Sequence, residues 1–296
     1  MFRGERIVNV GEWICEWAPL HAAKVRPETM RGYLAALDHL TPDFLALDLE
    51  HVSPMDWECQ VATLAERFPR QAQLLHSALR KCWNDGIRLQ VIRPDNKPYL
   101  YVEGVKHRPR PIDCLLPEEM PAYARAAMQT PGGFALVLML CLGLRRGEML
   151  GLSWDEIDTR LQLIHVEHQR VKGKVAPLKT TTSDRKIPVS RDVIDFLYKW
   201  GDKDRFFVYN GSARQLYRYH QAALDVAGIS AHVTLHGLRH SCATAALAAG
   251  ADVVTVQHIL GHANFSTTAD IYCHALLSSE RKAIGSVISS VDYVAM

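Results

Sequence analysis

The stretch FALVLMLCLGLRRGE, residues 134–148, places an apolar run directly before two arginines and a glutamate. The run from Phe134 to Leu144 is too short to cross a bilayer, which takes about 20 apolar residues. It suits a helix that is buried on all sides. We therefore predict a buried core helix that ends where Arg145 reaches the surface, with Glu148 close enough to pair with Arg145 or Arg146.

Composition limits the class of protein. The 296 residues allow one or two domains, and 48% of them are hydrophobic, enough for a real core. The net charge of +2 neither requires nor excludes a nucleic-acid partner, so a basic surface must come from local clusters. Seven cysteines without a C-x-x-C motif favour a reducing compartment. No signal-peptide run follows the N-terminus, and we expect a soluble, cytoplasmic protein without a membrane segment.

The first part of the chain has the pattern of a helical domain over residues 1–105, with a first helix near residue 11. A helix is predicted to begin at Pro27, where apolar residues recur with helical spacing. Further helices are predicted over residues 55–67 and 71–83, and Asn84-Asp85-Gly86 is predicted to end the latter. Residues 93–98 are rich in turn formers. The basic, proline-stiffened residues 106–113 are predicted to be an interdomain linker, the alternative being a solvated surface strap.

The remainder, residues 114–296, is predicted to form a second domain that ends in an apolar tail. Apolar and polar residues alternate over residues 161–189, with a turn at 171–174, which indicates a small antiparallel sheet. Helices are predicted over four further stretches, residues 191–227, 236–249, 252–260 and 267–277. The fold class is therefore mainly α with a small antiparallel β-sheet, α+β.

Two arginines in this domain have the chemistry of a phosphate clamp. Arg145 follows the buried helix, and Arg239 lies three residues after His236 at the start of another helix. A helix N-terminus favours anions, and the planar guanidinium fork matches phosphate oxygens. The alternatives are a structural ion pair at Arg145 and a buried His236 with Arg239 reaching solvent.

Three further side chains complete the set of candidates. Gly261 is predicted to stop a helix and turn His262 outward, and Tyr272 lies one turn into the next predicted helix. A lone tyrosine there is usually a core residue. Lys179 lies in the predicted hairpin among six Lys/Arg residues of segment 170–186, with Lys172 and Lys174 as competing candidates.

The histidines could also suggest a metal site, but their spacing does not favour one. His258 and His262 are four residues apart, but Gly261 disrupts their shared helix face and no third ligand has suitable spacing. His165 and His168 face opposite sides of a strand. We expect no metal and no cofactor.

The ordered motifs Gly-Leu-Arg-x-x-Glu, Lys-Thr, His-x-x-Arg, Leu-Gly-His and Tyr resemble those of the tyrosine recombinases and phage integrases. The resemblance is strongest from about residue 115 to 275 and covers the N-terminal part in pattern only, as a core-binding (SAM-like) DNA-binding domain. Leu142 departs from the family, which often has threonine there. The residues that match the family's catalytic set are Arg145, Lys179, His236, Arg239, His262 and Tyr272.

The resemblance implies a site-specific recombinase that cuts and rejoins DNA through a 3′-phosphotyrosyl intermediate, without metal or ATP. Tyr272 would attack a phosphodiester, while Arg145 and Arg239 hold its nonbridging oxygens. His262 would donate a hydrogen bond to the same group, and His236 would assist proton transfer at the tyrosine. Lys179 would protonate the leaving 5′-oxygen.

The resemblance also implies partners. These are double-stranded DNA, further copies of the chain in a homotetramer on two recombination sites, and accessory DNA-bending or excision proteins. The residues expected to contact DNA are Lys106, Arg108, Arg110, Arg170, Lys172 and Lys174. Rival interpretations are a type IB topoisomerase, a catalytically silent DNA-binding accessory protein and an all-helical scaffold.

Overall fold

The computed structural model describes residues 9–104, 113–178 and 184–261. The chain divides into two compact units, Met1–Arg110 and Pro111–Met296. Helices dominate both units, and small antiparallel sheets occur in the second. The predicted α+β fold class is therefore confirmed.

The first unit is helical throughout its described part. Its elements are α1 (Val10–Ala22), α2 (Pro27–Leu37), α3 (Pro42–Ala46), α4 (Pro54–Arg67), α5 (Pro69–Arg88) and a 3₁₀ helix (Pro98–Tyr101). Proline stands at the first position of α2, α3, α4 and α5, where its missing N–H is not needed. The helix predicted to begin at Pro27 is confirmed.

Large aromatic side chains fill the core of this unit. Trp13, Trp17, Trp57 and Trp83 are each at most 2% exposed. The rings of Trp57 and Trp83 meet edge to face, with centroids 5.3 Å apart. Because an aromatic side chain buries about 150–250 Å², these four give a small helical unit a substantial core.

Helix α5 continues through the sequence that was predicted to end it. The helix runs to Arg88, beyond Asn84-Asp85-Gly86. Asp85 is buried, and its carboxylate accepts a hydrogen bond from Trp17 Nε1 at 3.0 Å. A Cβ on Gly86 would lie 2.6 Å from Ile92 Cδ1, so the glycine here permits close packing and does not stop the helix.

The second unit contains the remaining helices and all the strands of the described residues. Its helices are α6 (Met120–Ala127), α7 (Gly133–Leu142), α8 (Arg146–Gly151), α9 (Arg191–Trp200), α10 (Ala213–Val226), α11 (Leu235–Ala248) and α12 (Val253–Leu260), with a 3₁₀ helix (Trp154–Glu156). Eight of the ten residues of α7 are buried, which confirms the predicted core helix. The single helix predicted over residues 191–227 is wrong: α9 ends at Trp200, where Gly201 takes an extended conformation, and α10 begins only at Ala213.

The strands form two sheets where one was predicted. They are β1 (Ile157–Asp158), β2 (Leu163–Val166), β3 (His168–Val171), β4 (Lys174–Pro177) and β5 (Arg185–Pro188). One antiparallel sheet has the order β1-β2-β5, and β3 pairs separately with β4. The chain leaves the first sheet at Glu167, whose backbone N–H donates to the buried Glu156 carboxylate at 3.1 Å.

The β3–β4 hairpin has the predicted turn. Val171 pairs with Lys174, so Lys172 and Gly173 form a two-residue turn, with φ of 51° and 79°. Positive φ at both positions matches the twist of an antiparallel hairpin.

Across residues 9–104, 113–178 and 184–261, none of the helices combines the length and apolar character needed to cross a bilayer.

Candidate active site

Arg145 is positioned by the way α7 ends. Gly143 closes α7 in the left-handed conformation, with φ of 62°. Arg145 then takes an extended conformation as the N-cap of α8. A Cβ on Gly143 would lie 2.3 Å from Leu260 Cδ2, so this position needs glycine both for its backbone and for its contact with α12.

The Glu148 carboxylate fixes this arginine and a second one. Glu148 is 2% exposed and accepts from the Arg145 backbone N–H at 2.9 Å and from Arg145 Nη1 at 2.6 Å. It also accepts from Arg185 Nη2 at 3.0 Å. The predicted pairing of Glu148 with Arg145 is confirmed, and the carboxylate is shared between two guanidiniums.

Helix α11 holds the second predicted arginine. Thr234 caps the helix by accepting from the Gly237 N–H at 3.0 Å, and the Ser241 hydroxyl donates to the Gly237 carbonyl at 2.9 Å. A Cβ on Gly237 would lie 2.5 Å from the Asp113 carbonyl oxygen, so α11 packs directly on the start of this unit. The helix predicted to begin near His236 is confirmed.

Arg239 is only 1% exposed. Its Nη1 donates to the Gly143 carbonyl at 2.7 Å, and its Nη2 donates to the Leu260 carbonyl. One guanidinium thus joins the end of α7 to the end of α12. The alternative with a buried His236 and a solvent-exposed arginine is reversed, because His236 is exposed.

The C-terminal end of α12 is the point at which the arginines converge. Asp252 caps the start of this helix, and Gly261 ends it with φ of 64°, as predicted. Three successive carbonyls then accept from three guanidiniums. Arg185 Nε donates to Ile259 at 2.6 Å, Arg239 Nη2 to Leu260, and Arg145 Nη2 to Gly261 at 2.9 Å.

This arrangement suits the end of a helix. The last carbonyls of a helix have no partner within it and carry partial negative charge. Cations that hydrogen-bond to these carbonyls therefore supply the missing hydrogen-bond donors and also neutralise the partial negative charge. The three residues that precede His262 in the chain are therefore all held by arginine side chains through their backbone carbonyls.

The cluster keeps its charges. The pKa of Arg239 is lowered to about 9, chiefly by burial; the charges of Arg145 and Arg185 contribute to this lowering, and Glu148 opposes it. The guanidinium therefore remains positive at neutral pH. Burial alone would raise the pKa of Glu148, but Arg185 and Arg145 hold it below its ordinary value. Within the part of the chain that the structure describes, three guanidiniums face one carboxylate, an excess of two positive charges in this group of four side chains.

His236 lies at the start of α11, next to a second histidine. The His236 and His240 rings meet edge to face, with centroids 4.8 Å apart. The pKa of His240 is lowered to about 4, chiefly by burial and also by the neighbouring His236 and Arg239. His240 is therefore neutral at neutral pH and adds no charge beside His236.

The structure places the other predicted residues as follows. Lys172 and Lys174 are exposed at the β3–β4 turn. Arg170 is half-buried; its Nη2 donates to the Gly211 carbonyl at 2.7 Å, and its guanidinium lies 4.8 Å from the Phe207 ring centroid. The predicted residues that lie outside the described residues are Lys106, Arg108, Arg110, Lys179, His262 and Tyr272.

Arg185 is the member of the cluster that the sequence interpretation missed. It is 4% exposed and pairs with Glu148, which lies 37 positions away in sequence. Strand periodicity contains the signal, because Arg185 and Ile187 share the inward face of β5. An arginine in phase with core residues needs a buried acidic partner.

Metal binding finds no support among the histidines of the described segments. No group of three or more His, Cys, Asp or Glu residues there is arranged to hold an ion. His165 Nε2 bonds to Asp184 at 2.8 Å, and His168 Nδ1 bonds to Glu156 at 3.2 Å.

The sequence matches a known family and several individual proteins. Residues 117–278 match the model of a family described as "Phage integrase family". The chain is 32% identical over 275 residues to the tyrosine recombinase XerC of Proteus mirabilis, covering 85% of this chain and 84% of that protein. It is 31% identical over 217 residues to the tyrosine recombinase XerD of Lacticaseibacillus casei, covering 70% and 73% respectively.

Solved structures share the fold. The Tn1549 transposon integrase in complex with transposon right end DNA has a TM-score of 0.74 at 20% identity, covering 95% of this chain and 99% of that one. A lambda integrase dimer bound to a COC′ core site has a TM-score of 0.67 at 18% identity, covering 89% and 95%. At these identities the likeness concerns the fold.

Proposed function

This chain belongs to the phage integrase family and is a tyrosine recombinase, a site-specific DNA strand transferase, and we propose that it cuts and rejoins DNA through a bond between Tyr272 and a 3′-phosphate. The observation that carries the proposal is the convergence of Arg145 and Arg239 on neighbouring carbonyls at the end of α12. His262 follows these carbonyls directly in the chain. Two cations thus converge on the residues that directly precede His262 in the chain, an arrangement that suits a phosphate.

The chemical step balances without an external energy source. The Tyr272 phenol oxygen attacks phosphorus and gives up its proton, and the bond from phosphorus to the 5′-oxygen breaks. The product is a 3′-phosphotyrosyl ester and a DNA strand with a free 5′-hydroxyl. Attack by another 5′-hydroxyl on that ester rejoins the DNA, so neither ATP nor a metal is required.

Each remaining member of the set has a proposed role. Arg145 and Arg239 bind the nonbridging oxygens and stabilise the charge of the pentacovalent transition state. His262 donates a further hydrogen bond to that group. His236 assists removal of the phenol proton, which the free side chain holds with a pKa of about 10. Lys179 gives a proton to the leaving 5′-oxygen.

The other surfaces of the chain take up DNA. The helical domain of residues 1–105 binds the DNA core site, and the linker of residues 106–113 contacts the backbone through Lys106, Arg108 and Arg110. Residues 114–296 form the catalytic domain and tail. Lys172 and Lys174 are exposed on a two-residue turn, a geometry that suits phosphate contacts. Arg170 is the weakest of these candidates, because it binds the Gly211 carbonyl.

The assembly and its place in the cell follow from this activity. Exchange between two duplexes needs four cuts, so the active form is a homotetramer on two recombination sites. The lambda integrase tetramer bound to a Holliday junction has the same fold. The chain acts on DNA in the cytoplasm. Accessory DNA-bending or excision proteins set the direction of exchange.

A suicide substrate tests the function. DNA with a nick next to the scissile phosphate loses its 5′-hydroxyl fragment after cleavage, so a covalent protein–DNA adduct accumulates. We expect the adduct with the native chain and none with Tyr272→Phe, while equilibrium DNA binding stays within about twofold because the change removes one hydroxyl. A matched control is Tyr217→Phe on the exposed face of α10. Equal adduct yields from native chain and Tyr272→Phe would contradict the role of Tyr272.

A type IB topoisomerase would share this covalent chemistry. The two activities differ in what they need from DNA: relaxation needs one duplex, whereas recombination needs two matching sites. Exchange that depends on two copies of one sequence supports the recombinase, and relaxation of any plasmid without exchange supports the topoisomerase.

A further inference from the structure

Arg185 has contacts that match those of the two arginines already assigned to the site. Its Nε donates to the Ile259 carbonyl at 2.6 Å, in the last turn of α12. Its Nη2 donates to Glu148 at 3.0 Å, and both side chains are 2% exposed. The strand β5 that carries it begins at this residue and pairs with β2.

Arg185 and Arg145 share the carboxylate of Glu148. Glu148 Oε1 accepts from Arg145 Nη1 at 2.6 Å, and Glu148 Oε2 accepts from Arg185 Nη2 at 3.0 Å. In a buried site an unshared carboxylate would largely cancel the charge of the one arginine it contacts. With Arg185 present, the cluster of Arg145, Arg185, Arg239 and Glu148 keeps two net positive charges.

This net charge of plus two equals the negative charge that the phosphate reaches in the transition state of the proposed reaction. A phosphodiester carries one negative charge, and its pentacovalent transition state carries a second on the nonbridging oxygens. Fixed cations lower the barrier most when they oppose charge that appears in the transition state. Loss of Arg185 would leave one net positive charge, which suffices for the bound ground state but not for the transition state.

We propose that Arg185 is a positioning residue of the strand-transfer reaction: it shares Glu148, so that Arg145 keeps its charge for the phosphate, and it anchors the last turn of α12 ahead of His262. The inference rests on the proposed function. Arg185 touches no substrate in this scheme, and acts through Arg145 and through the Ile259 peptide.

Four variants separate charge from packing. Arg185→Met removes the charge and keeps much of the bulk, and Glu148→Gln removes the carboxylate. The double variant Arg185→Met/Glu148→Gln restores two net positive charges without the bridge. Arg185→Lys keeps the charge but lacks the planar fork that reaches the carboxylate and the carbonyl together. Arg191→Met is the matched control, because Arg191 is exposed in α9 and pairs with Asp195 at 3.1 Å.

The readouts are the single-turnover rate of adduct formation at saturating DNA, the equilibrium binding constant for the same DNA, and thermal unfolding. We expect Arg185→Met to slow cleavage by about 10- to 100-fold, as loss of an orienting partner commonly does, with binding within about threefold. The double variant should regain about tenfold over Arg185→Met because the charges are coupled. Arg191→Met should cleave at the native rate.

Substrate chemistry shows which group Arg185 acts through. A 5′-thio leaving group needs no proton, so it removes any defect that arises from a misplaced Lys179. We expect the Arg185→Met defect to persist with this substrate, because the nonbridging oxygens still develop charge. Complete recovery with the thio substrate would overturn the proposal and make Arg185 a support for the acid.

Three further results also test the role of Arg185. Should Arg185→Met not fold, Arg185→Lys carries the comparison: a rate about tenfold below native with unchanged binding supports the bridge, and a native rate overturns it. A double variant no faster than Arg185→Met overturns the charge-sharing argument. If the native chain itself forms no adduct, the proposed function fails; if it does and both Arg185 variants match it, only this inference fails.

Discussion

Arg239 shows how a buried cation can be fixed in position by hydrogen bonds to backbone carbonyls. The side chain is 1% exposed, and its two terminal nitrogens donate to the Gly143 and Leu260 carbonyls. A lysine has the same charge but is a point donor that cannot span both carbonyls. The fork therefore fixes the position of the charge, while burial raises its effect by excluding water.

Arg239→Lys tests this geometry. We expect adduct formation to slow by about 100-fold or more, the scale for loss of an oriented donor to transition-state charge, because the ammonium cannot hold both helix ends and a phosphate oxygen. Single-turnover cleavage at saturating DNA measures the effect, and Arg191→Lys at an exposed position of α9 is the control. Cleavage close to the native rate would show that a charge alone is sufficient.

At the residue scale, sequence and structure differ on Arg185. Arg145 and Arg239 lie in motifs whose residue types suggest a phosphate clamp, which is why the sequence interpretation selected them. In the sequence, Arg185 lies in the basic segment of residues 170–186, where most cations are expected to be solvated. Its burial depends on the register of β2 with β5 and on Glu148, which approaches from another element. The alternation that puts Arg185 in phase with Ile187 is a local signal of its burial, but the partners in these two contacts cannot be identified from the local sequence.

The end of α7 is the element on which the cluster depends. Gly143 has φ of 62°, a conformation that costs an L-residue with a Cβ about 1–2 kcal/mol. It also contacts Leu260 so closely that an added Cβ would lie 2.3 Å from Cδ2. A substitution here must therefore disturb α12 as well as the turn.

Gly143→Ala and Gly228→Ala separate these two costs. Gly228 follows α10 with φ of 68°, and an added Cβ there meets nothing within 4 Å. We expect Gly228→Ala to lower the free energy of unfolding by about 1–2 kcal/mol through strain alone. Gly143→Ala should lose a further 1–3 kcal/mol, approximately the cost of overpacking a core. Urea unfolding of both variants measures the difference, and equal losses would mean that Leu260 yields freely.

Helix starts were more predictable than helix ends and sheet boundaries. Pro27 begins α2, and Asp252 caps α12 through the Thr255 N–H at 2.9 Å, both local signals. The end of α5 depends on Ile92 packing against Gly86, and the split between the two sheets depends on Glu156. These are tertiary contacts, which override local propensity.

At the scale of the two described units, four buried or half-buried histidines are expected to make stability depend on pH. Burial is the largest cause that lowers the pKa of four histidines below 6.5: His21, His76, His220 and His240. For His240 the pKa is about 4. His21 and His76 lie in the first unit, and His220 and His240 in the second. Each is held as the neutral base; His220 Nε2 donates to the Val233 carbonyl at 2.8 Å.

The sign of the effect follows from these shifts. A histidine whose folded pKa lies below its unfolded pKa binds a proton more readily in the unfolded chain, so protonation favours unfolding. The stabilisation is complete above pH 6.5 and is lost progressively as the pH falls toward about 4. We expect the free energy of unfolding in urea, followed by circular dichroism, to be clearly lower at pH 5 than at pH 7. His240→Gln, which keeps a polar side chain but cannot titrate, should lessen this difference. Stability that is flat or rising between pH 7 and pH 5 would contradict the argument, since it requires the histidines to be equally basic in both states.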